Sequence, residues 1–336
     1  MEIAEKPDVR AGLCEEYEKR RAQALAMGGP KKLEARRAQG LLNARERIDQ
    51  LVDAGTFIES GLFATSANRN IPAEAKVAGY AKLDGRDIAV VSNDFTVMGA
   101  SSTALNGKKI GQMKRVATQR GLPLVFLGES TGARMPDTMG SRGMGSMLGN
   151  DPTQYQRMRE TPWAAAVLGP CYGSSTWYTA FSDFSVIRKG AIMAVSSPRL
   201  VSLAINETIN PEDLGGWRLH SEVTGLVDMV VDTDEEALQA IRTFLGYMPS
   251  HHNEAPPVHP VMRGSGDGMA DILNLLPASR TQVARWRGAR RKTVSSATAQ
   301  HSSVAHIPGA FLGLGGLPSI EFYKPTNEMV RRLIHL

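Results

Sequence analysis

Residues 107–134 read GKKIGQMKRVATQRGLPLVFLGESTGAR. The first fifteen place Ile110, Met113, Val116 and Ala117 on one helical face, a 3.6-residue apolar period. Gly121 stands where a helix closes with a left-handed residue. LPLVFLGES then runs apolar and short, as a strand buried on both faces does. A helix feeding a buried strand that ends in small residues predicts an α/β layer with its chemistry in the loops at the strand ends.

Working outward, the same alternation recurs. Upstream, AKVAGYAKL and RDIAVVSND flank Asp84-Gly85, the strongest short hairpin signal. Downstream, WAAAVLGPCYG predicts a second buried strand ending in a glycine turn, STWYTAFSD a helix, and FSVIRKGAIMAVSS two short strands. Asn210-Pro211-Glu212-Asp213 is a helix start, with proline at its first position and acids in its first turn. VDMVVDTDEEALQAIRTFLGYMPS is a strand followed by an amphipathic helix. The N-terminal fifty residues read as helices broken at Gly28-Gly29-Pro30, with Asn43 and Glu46 forming a capping box on NARERIDQLV. The boundaries expected are a helical segment at 1–54, an α/β domain at 55–255, and a linker with a weakly ordered tail at 256–336. Pro256-Pro257 and the glycines at 264–268 mark the linker.

The chain has 336 residues, 42% hydrophobic and 22% charged, ordinary for a globular protein with a real core. It shows no bilayer-length apolar run and no secretory signal. Cys14 and Cys171 have no metal-ligand or CxxC spacing, which fits a reduced compartment, the cytoplasm or a mitochondrial matrix; neither a metal nor a membrane partner is expected. The net charge of +5 comes from one segment. Ile272–Ile320 holds no acid but carries Arg280, Arg285, Arg287, Arg290, Arg291 and Lys292, and without those six the acids outnumber the bases. That distribution excludes a nucleic-acid face spread over the fold.

Gly128-Glu129-Ser130-Thr131-Gly132 fits G-x-S-x-G, the pattern of a nucleophile elbow. An elbow needs a helix directly after the serine, and ARMPDTMGSRGMGSMLGN is a poor one. A triad also needs a base, and His220 is the first histidine of the chain. The preferred reading makes Ser130 a small residue at a tight turn. The second turn, Gly169-Pro170-Cys171-Tyr172-Gly173-Ser174, precedes a helix. Amides of Gly173 and Ser174 facing a ligand, with those of Gly132 and Ala133, would make an oxyanion hole without side chains; two plain tight turns are the alternative.

Five runs carry a resemblance: ARERIDQLVDAGTFIE, VAGYAKLDGRDIAVVSNDFTVMGAS, KKIGQMKRVATQRGLPLVFLGESTGAR, GPCYGSSTWYTAFSDFSVIRKG and ETINPEDLGGWRLHSEVTGLVD. In this order, across residues 33–248, the chain resembles the carboxyltransferase (β) subunits of biotin-dependent acyl-CoA carboxylases. Glutaconyl-CoA decarboxylase subunits are similar too. The resemblance implies a crotonase-like (ClpP/crotonase) ββα superhelix, with glycine-turn amides holding the thioester oxygen of an acyl-CoA. It implies an enolate that attacks the carboxyl carbon of carboxybiotin, or CO2 released from it, with the departing biotin as base and no protein nucleophile. It implies biotin carried on a partner, a biotin carboxylase or biotin carboxyl carrier subunit, and assembly as a homo-oligomer or with full-length carboxyltransferase subunits.

The chain departs from the family at Thr131-Gly132, where the family has Gly-Gly, and at Tyr172-Gly173-Ser174, where it has A-G-G. Tyr172 and Ser174 narrow the acyl space. The resemblance reads ILNLLPASRTQV, Ile272–Val283, as the linker into a second, biotin-binding half, and the family pattern is expected to end there. Other readings of the same turns are a crotonase-type decarboxylase or hydratase, which would need Glu129, Glu207 or Glu222 in the pocket, and a non-catalytic acyl-CoA-binding paralogue.

Overall fold

The structure is a computed structural model that describes residues 9–65, 71–138 and 160–258. The tail expected at 256–336, with its basic segment, lies almost wholly outside the described residues.

Three helices lead the chain: α1 (Val9–Leu25), α2 (Pro30–Arg37) and α3 (Ala44–Leu51). Gly29 takes φ 87° and Pro30 begins α2, so the Gly-Gly-Pro break reflects backbone chemistry. Asn43 caps α3 through the amides of Arg45 and Glu46, and Glu46 returns the bond to the Asn43 amide. The capping box is present as the sequence reads.

Among the described residues the sheet has eight strands: β1 (Ile58–Glu59), β2 (Lys76–Leu83), β3 (Arg86–Asn93), β4 (Leu124–Ser130), β5 (Trp163–Tyr172), β6 (Phe184–Arg188), β7 (Ile192–Ala194) and β8 (Met229–Val231). Its order is β1-β2-β3-β4-β5-β6-β8, with β7 also paired to β5. β1, β2 and β3 pair antiparallel; every later pairing is parallel. The β2–β3 turn places Asp84 at φ 52° and Gly85 at φ 78°, the left-handed pair of a two-residue hairpin. Its Asp84 and Gly85 amides donate to the Asp53 carboxylate.

Between the strands run α4 (Ala104–Arg120), α5 (Met135–Thr138), α6 (Ser174–Ala180), α7 (Pro198–Ile205), α8 (Pro211–Gly215) and α9 (Asp234–Tyr247). α4 starts before the apolar period does, because Thr103 caps it, with Asn106 in the place a Glu usually takes. Gly121 closes it at φ 70°, as expected. Its inner face is Ile110, Met113, Lys114 and Ala117 rather than Val116. Lys114 buries its stem and sets its ammonium over the rings of Trp163 (5.3 Å) and Tyr178 (5.5 Å).

Alternation along β4 splits the core. Val125 and Leu127 pack with Val77, Val90, Ile48 and Leu51 and with Ile241 and Leu245 of α9. Leu124 and Phe126 face the other way, against Ile110, Met113 and Trp163. Each fully buried aliphatic or Phe side chain contributes about 1.5–3 kcal/mol. The parallel sheet between these layers holds the strand ends where β4 and β5 stop.

Candidate functional site

The site is a junction of strand ends. β4 pairs in register with β5 from Leu124↔Trp163 to Gly128↔Val167, then shifts, so that Ser130 lies against Cys171. Both strands therefore end at the same level, in the turns at 131–134 and 172–174. β5 changes partner there, from β6 at 164–167 to β7 at 170–172. A Cβ at Gly173 would lie 3.7 Å from the Gly132 Cα, and one at Gly132 would lie 3.7 Å from the Tyr172 Cβ. The two turns predicted separately are in contact.

A third segment braces them. Met98, Gly99 and Ala100 take φ of 50°, 60° and 48°, three left-handed residues in succession. This arm pairs with the first turn: the Thr131 amide donates to the Gly99 carbonyl (2.9 Å), Ser102 to Gly132 (2.8 Å) and Arg134 to Ser102 (2.9 Å). From the end of β3, the Asn93 amide nitrogen donates to the Glu129 carbonyl (2.6 Å) and to the Ser175 hydroxyl (3.1 Å), tying β4 to α6. The Thr176 hydroxyl bonds the carbonyls of Cys171 and Ala194.

The donors differ from expectation. The Gly173 amide donates to the carbonyls of Ala194 (3.3 Å) and Val195 (3.1 Å). The Gly132 amide donates to the Ser130 hydroxyl oxygen (3.1 Å). Both amides are thus engaged within the fold, the two glycines standing at φ 65° and 95°. Their neighbours differ: among the described residues, the amides of Ala133 and Ser174 have no partner. Gly132 and Gly173 shape the turns, and Ala133 and Ser174 are left with amides to offer. α6 has seven residues, so these donors act singly more than through a helix dipole. The Ser174 hydroxyl lies 2.9 Å from that of Ser102.

Ser130 is fully buried. Its hydroxyl donates to the Ala100 carbonyl (3.1 Å) while accepting from Gly132. His220 is fixed elsewhere: its Nε2–H donates to the Met193 carbonyl (2.7 Å), which leaves Nδ1 to accept from Thr224 (3.1 Å). Burial holds the ring below its ordinary pKa and therefore neutral. Among the described residues Ser130 hydrogen-bonds no His, Asp or Glu side chain, so the Ser-His-acid arrangement that a nucleophile elbow needs is not assembled there.

Glu129 is also committed. It meets Arg36 (2.7 Å) and Arg47 (2.6 Å); Arg47 continues to Asp234 (2.8 Å), and Arg188 lies 3.0 Å from Asp234. This buried cluster joins the N-terminal helices to β4, β6 and α9. A side chain at Gly169 would overlap the Glu129 carboxylate, which accounts for that glycine. Glu207 and Glu222 are exposed. Of the three acids a hydratase would call on, Glu129 is thus taken up by arginines and the other two are open to solvent. Among the described residues no group of three or more His, Cys, Asp or Glu could hold a metal, and no helix is long and apolar enough to cross a membrane.

Comparison with known proteins assigns the family. Residues 35–297 match the carboxyl transferase domain, and the chain belongs to that family. The match runs beyond Val283, where the sequence reading ended the family pattern. The propionyl-CoA carboxylase beta chain of Roseobacter denitrificans is 31% identical over 259 residues, 74% of this chain and 50% of that one. That of Saccharopolyspora erythraea is 28% identical over 343 residues, 97% and 62%. Transcarboxylase 12S, solved as a hexamer with hydrolysed methylmalonyl-coenzyme A bound, superposes with a TM-score of 0.70 at 25% identity, covering 87% of this chain and 58% of that one. The crotonase-like fold class is thus the one observed. The chain spans about half to three fifths of the length of these relatives.

Two unpaired amides suit one carbonyl oxygen. Biotin brings a carbonyl of its own, which would need donors beyond these two.

Proposed function

We propose that this chain is the acyl-CoA-binding side of a biotin-dependent acyl-CoA carboxyltransferase. One observation carries the reading: at the meeting of two turns, Gly132 and Gly173 turn their own amides inward, and Ala133 and Ser174 are left with unpaired ones. The thioester oxygen accepts from those two. As the α-carbon loses its proton the oxygen gains charge, and preorganised donors stabilise it without any reorganisation. No side-chain nucleophile is required, in keeping with the enclosed Ser130. Tyr172, half-buried beside Gly132, bounds the acyl space and favours short acyl groups.

The carboxyl donor is biotin on a partner, a biotin carboxyl carrier subunit loaded by a biotin carboxylase. A complementary carboxyltransferase half, from a full-length subunit or a second chain, completes the site. Alignment of two substrates is a large share of such a barrier, so the chain alone supplies little turnover. The exposed apolar residues Leu200, Leu203 and Ile205 of α7 and Val195 before it suit such a covering partner. The test is carboxybiotin-dependent carboxylation of propionyl-CoA, with and without a C-terminal half from a related subunit. Recovery on addition is expected; robust turnover by the chain alone contradicts the division of labour.

A further inference from the structure

We propose that Lys76 is a positioning residue of the thioester site: it holds, through the Ala100 carbonyl, the arm on which the 131–134 turn hangs, and the arm keeps its binding geometry only while that amine is uncharged. The inference rests on the acyl-CoA reading above.

The arm needs holding. Met98 and Ala100 are non-glycine residues at positive φ, and such residues persist only where their surroundings over-determine them. The Ala100 carbonyl is the point of restraint. It accepts from the Lys76 side-chain nitrogen Nζ (2.8 Å) and from the Ser130 hydroxyl (3.1 Å). One residue back, the Gly99 carbonyl accepts the Thr131 amide, and two residues on, Ser102 pairs on both sides of Ala133. A shift of Ala100 therefore moves Ala133, one of the two amides offered to the ligand.

Lys76 begins β2 and is fully enclosed, at 1% exposure. It makes no ion pair with any described residue. The groups around it come from every neighbouring element. Cys171 on β5 is a thiol pushed up to about 12 by burial, so it stays neutral. Arg134, after β4, is cationic and paired with Glu74. Lys109 of α4 donates to the carbonyls of Gly61, Ala73 and Lys76 itself, and burial lowers it to about 8. Asp94, after β3, is raised by burial, and its Thr96 bonds oppose that shift. Burial first of all brings Lys76 down from 10.5 to about 7; Arg134 and Lys109 push the same way, and Asp94 opposes them. A neutral amine still donates to Ala100. An ammonium in the same place asks for water, and the way to give it water is to lift the arm.

The sign follows from linkage. An open arm lets Lys76 hydrate and keep a proton that the closed arm expels, so closure releases a proton and is favoured as pH rises above the closed-state value. Acyl-CoA affinity should rise by about tenfold between pH 6 and 9, with a slope of no more than one proton.

The experiment measures propionyl-CoA affinity of the full chain by calorimetry from pH 5.5 to 9, for the parent, Lys76→Met, Lys76→Arg and Lys109→Met. The Lys76 side-chain titration is followed by NMR, and hydrogen exchange of the amides at 130–134, corrected for intrinsic rate, is recorded over the same range. The parent and Lys109→Met should gain affinity with pH. Lys76→Met should be flat, and Lys76→Arg, always charged, flat and weak. Amide protection at the turn should rise with pH at the midpoint seen for Lys76. An affinity slope that survives in both Lys76 variants, or an NMR midpoint remote from the protection midpoint, overturns the proposal. If the parent binds no propionyl-CoA at any pH, the acyl-CoA reading fails. The exchange profile and the NMR titration then decide the Lys76 coupling by themselves, and they also decide it if a variant does not fold.

Discussion

Replacing Gly173 with alanine tests the turn at the point where backbone conformation and function meet. The added methyl finds room: its nearest neighbour is the Gly132 Cα at 3.7 Å, an ordinary contact. The resistance is conformational. Gly173 sits at φ 65°, ψ −125°, a combination nearly confined to glycine. Holding alanine there costs about 1–3 kcal/mol. At about 2–4 °C per kcal/mol for a domain of this size, melting should fall by roughly 2–12 °C. Where the turn relaxes instead, the Ser174 amide moves off its line. Losing one neutral hydrogen bond to bound thioester is worth about 0.5–1.5 kcal/mol, roughly a two- to thirteenfold weaker Kd. In the transition state, loss of an oxyanion donor costs about 3 kcal/mol, roughly a hundredfold in rate. Gly190→Ala is the control, because Gly190 has φ 80° with open space around it, away from the junction. It should lower melting by a similar amount and leave propionyl-CoA affinity unchanged. The assays are calorimetric melting and isothermal titration on both variants. If Gly173→Ala melts lower than the parent yet binds propionyl-CoA with undiminished affinity, the turn does not present a thioester donor.

Ser130→Ala should keep propionyl-CoA affinity within a few fold and lower stability by about 1–2 kcal/mol, because it removes bonds to Ala100 and Gly132; a trapped acyl-serine in the parent, found by mass spectrometry, would restore the hydrolase reading. Glu129→Gln leaves Arg36 and Arg47 short of a buried counter-charge, and breaking such a cluster costs about 3–5 kcal/mol, read by urea unfolding; a loss under 1 kcal/mol would mean the cluster contributes little. The depressed Lys76 amine has a definite sign for stability. The unfolded chain keeps its proton up to about 10.5 and the folded one only to about 7, so unfolding free energy rises with pH across that window, by at most about 5 kcal/mol. Urea unfolding from pH 6 to 10 should show the rise in the parent, and Lys76→Met should keep only the smaller rise that the depressed Lys109 contributes.

Where a structural cause is local, the sequence states it. Asp84-Gly85 makes its turn, Asn43 and Glu46 make their cap, and Gly121 ends α4, because each depends on a few adjacent residues. The buried runs of β4 and β5 are legible for the same reason. Thr103 does not stand out as a cap in the sequence, because Asn106, not Glu, completes its box. Gly132 and Gly173 could be proposed for a site from their positions after strands, together with the amides of Ala133 and Ser174. That the two glycine amides are engaged inside the fold was not legible, since it depends on partners at Ser130, Ala194 and Val195. The cluster of Arg36, Arg47, Glu129 and Asp234 draws on α2, α3, β4 and α9, and in the sequence its members look like solvated charges. Lys76 reads as a polar strand end, and only the packing of α4, β5 and the arm around it shows otherwise.

The central claim is that this junction grips a thioester by its carbonyl oxygen. Calorimetric titration of the full chain with propionyl-CoA and with S-propyl-CoA, the thioether that lacks only that oxygen, tests it most directly. Two neutral backbone hydrogen bonds are worth about 1–3 kcal/mol together, so the thioester should bind roughly five- to a hundredfold tighter. The advantage should shrink in Gly173→Ala. Equal affinities for thioester and thioether in the parent would contradict the claim.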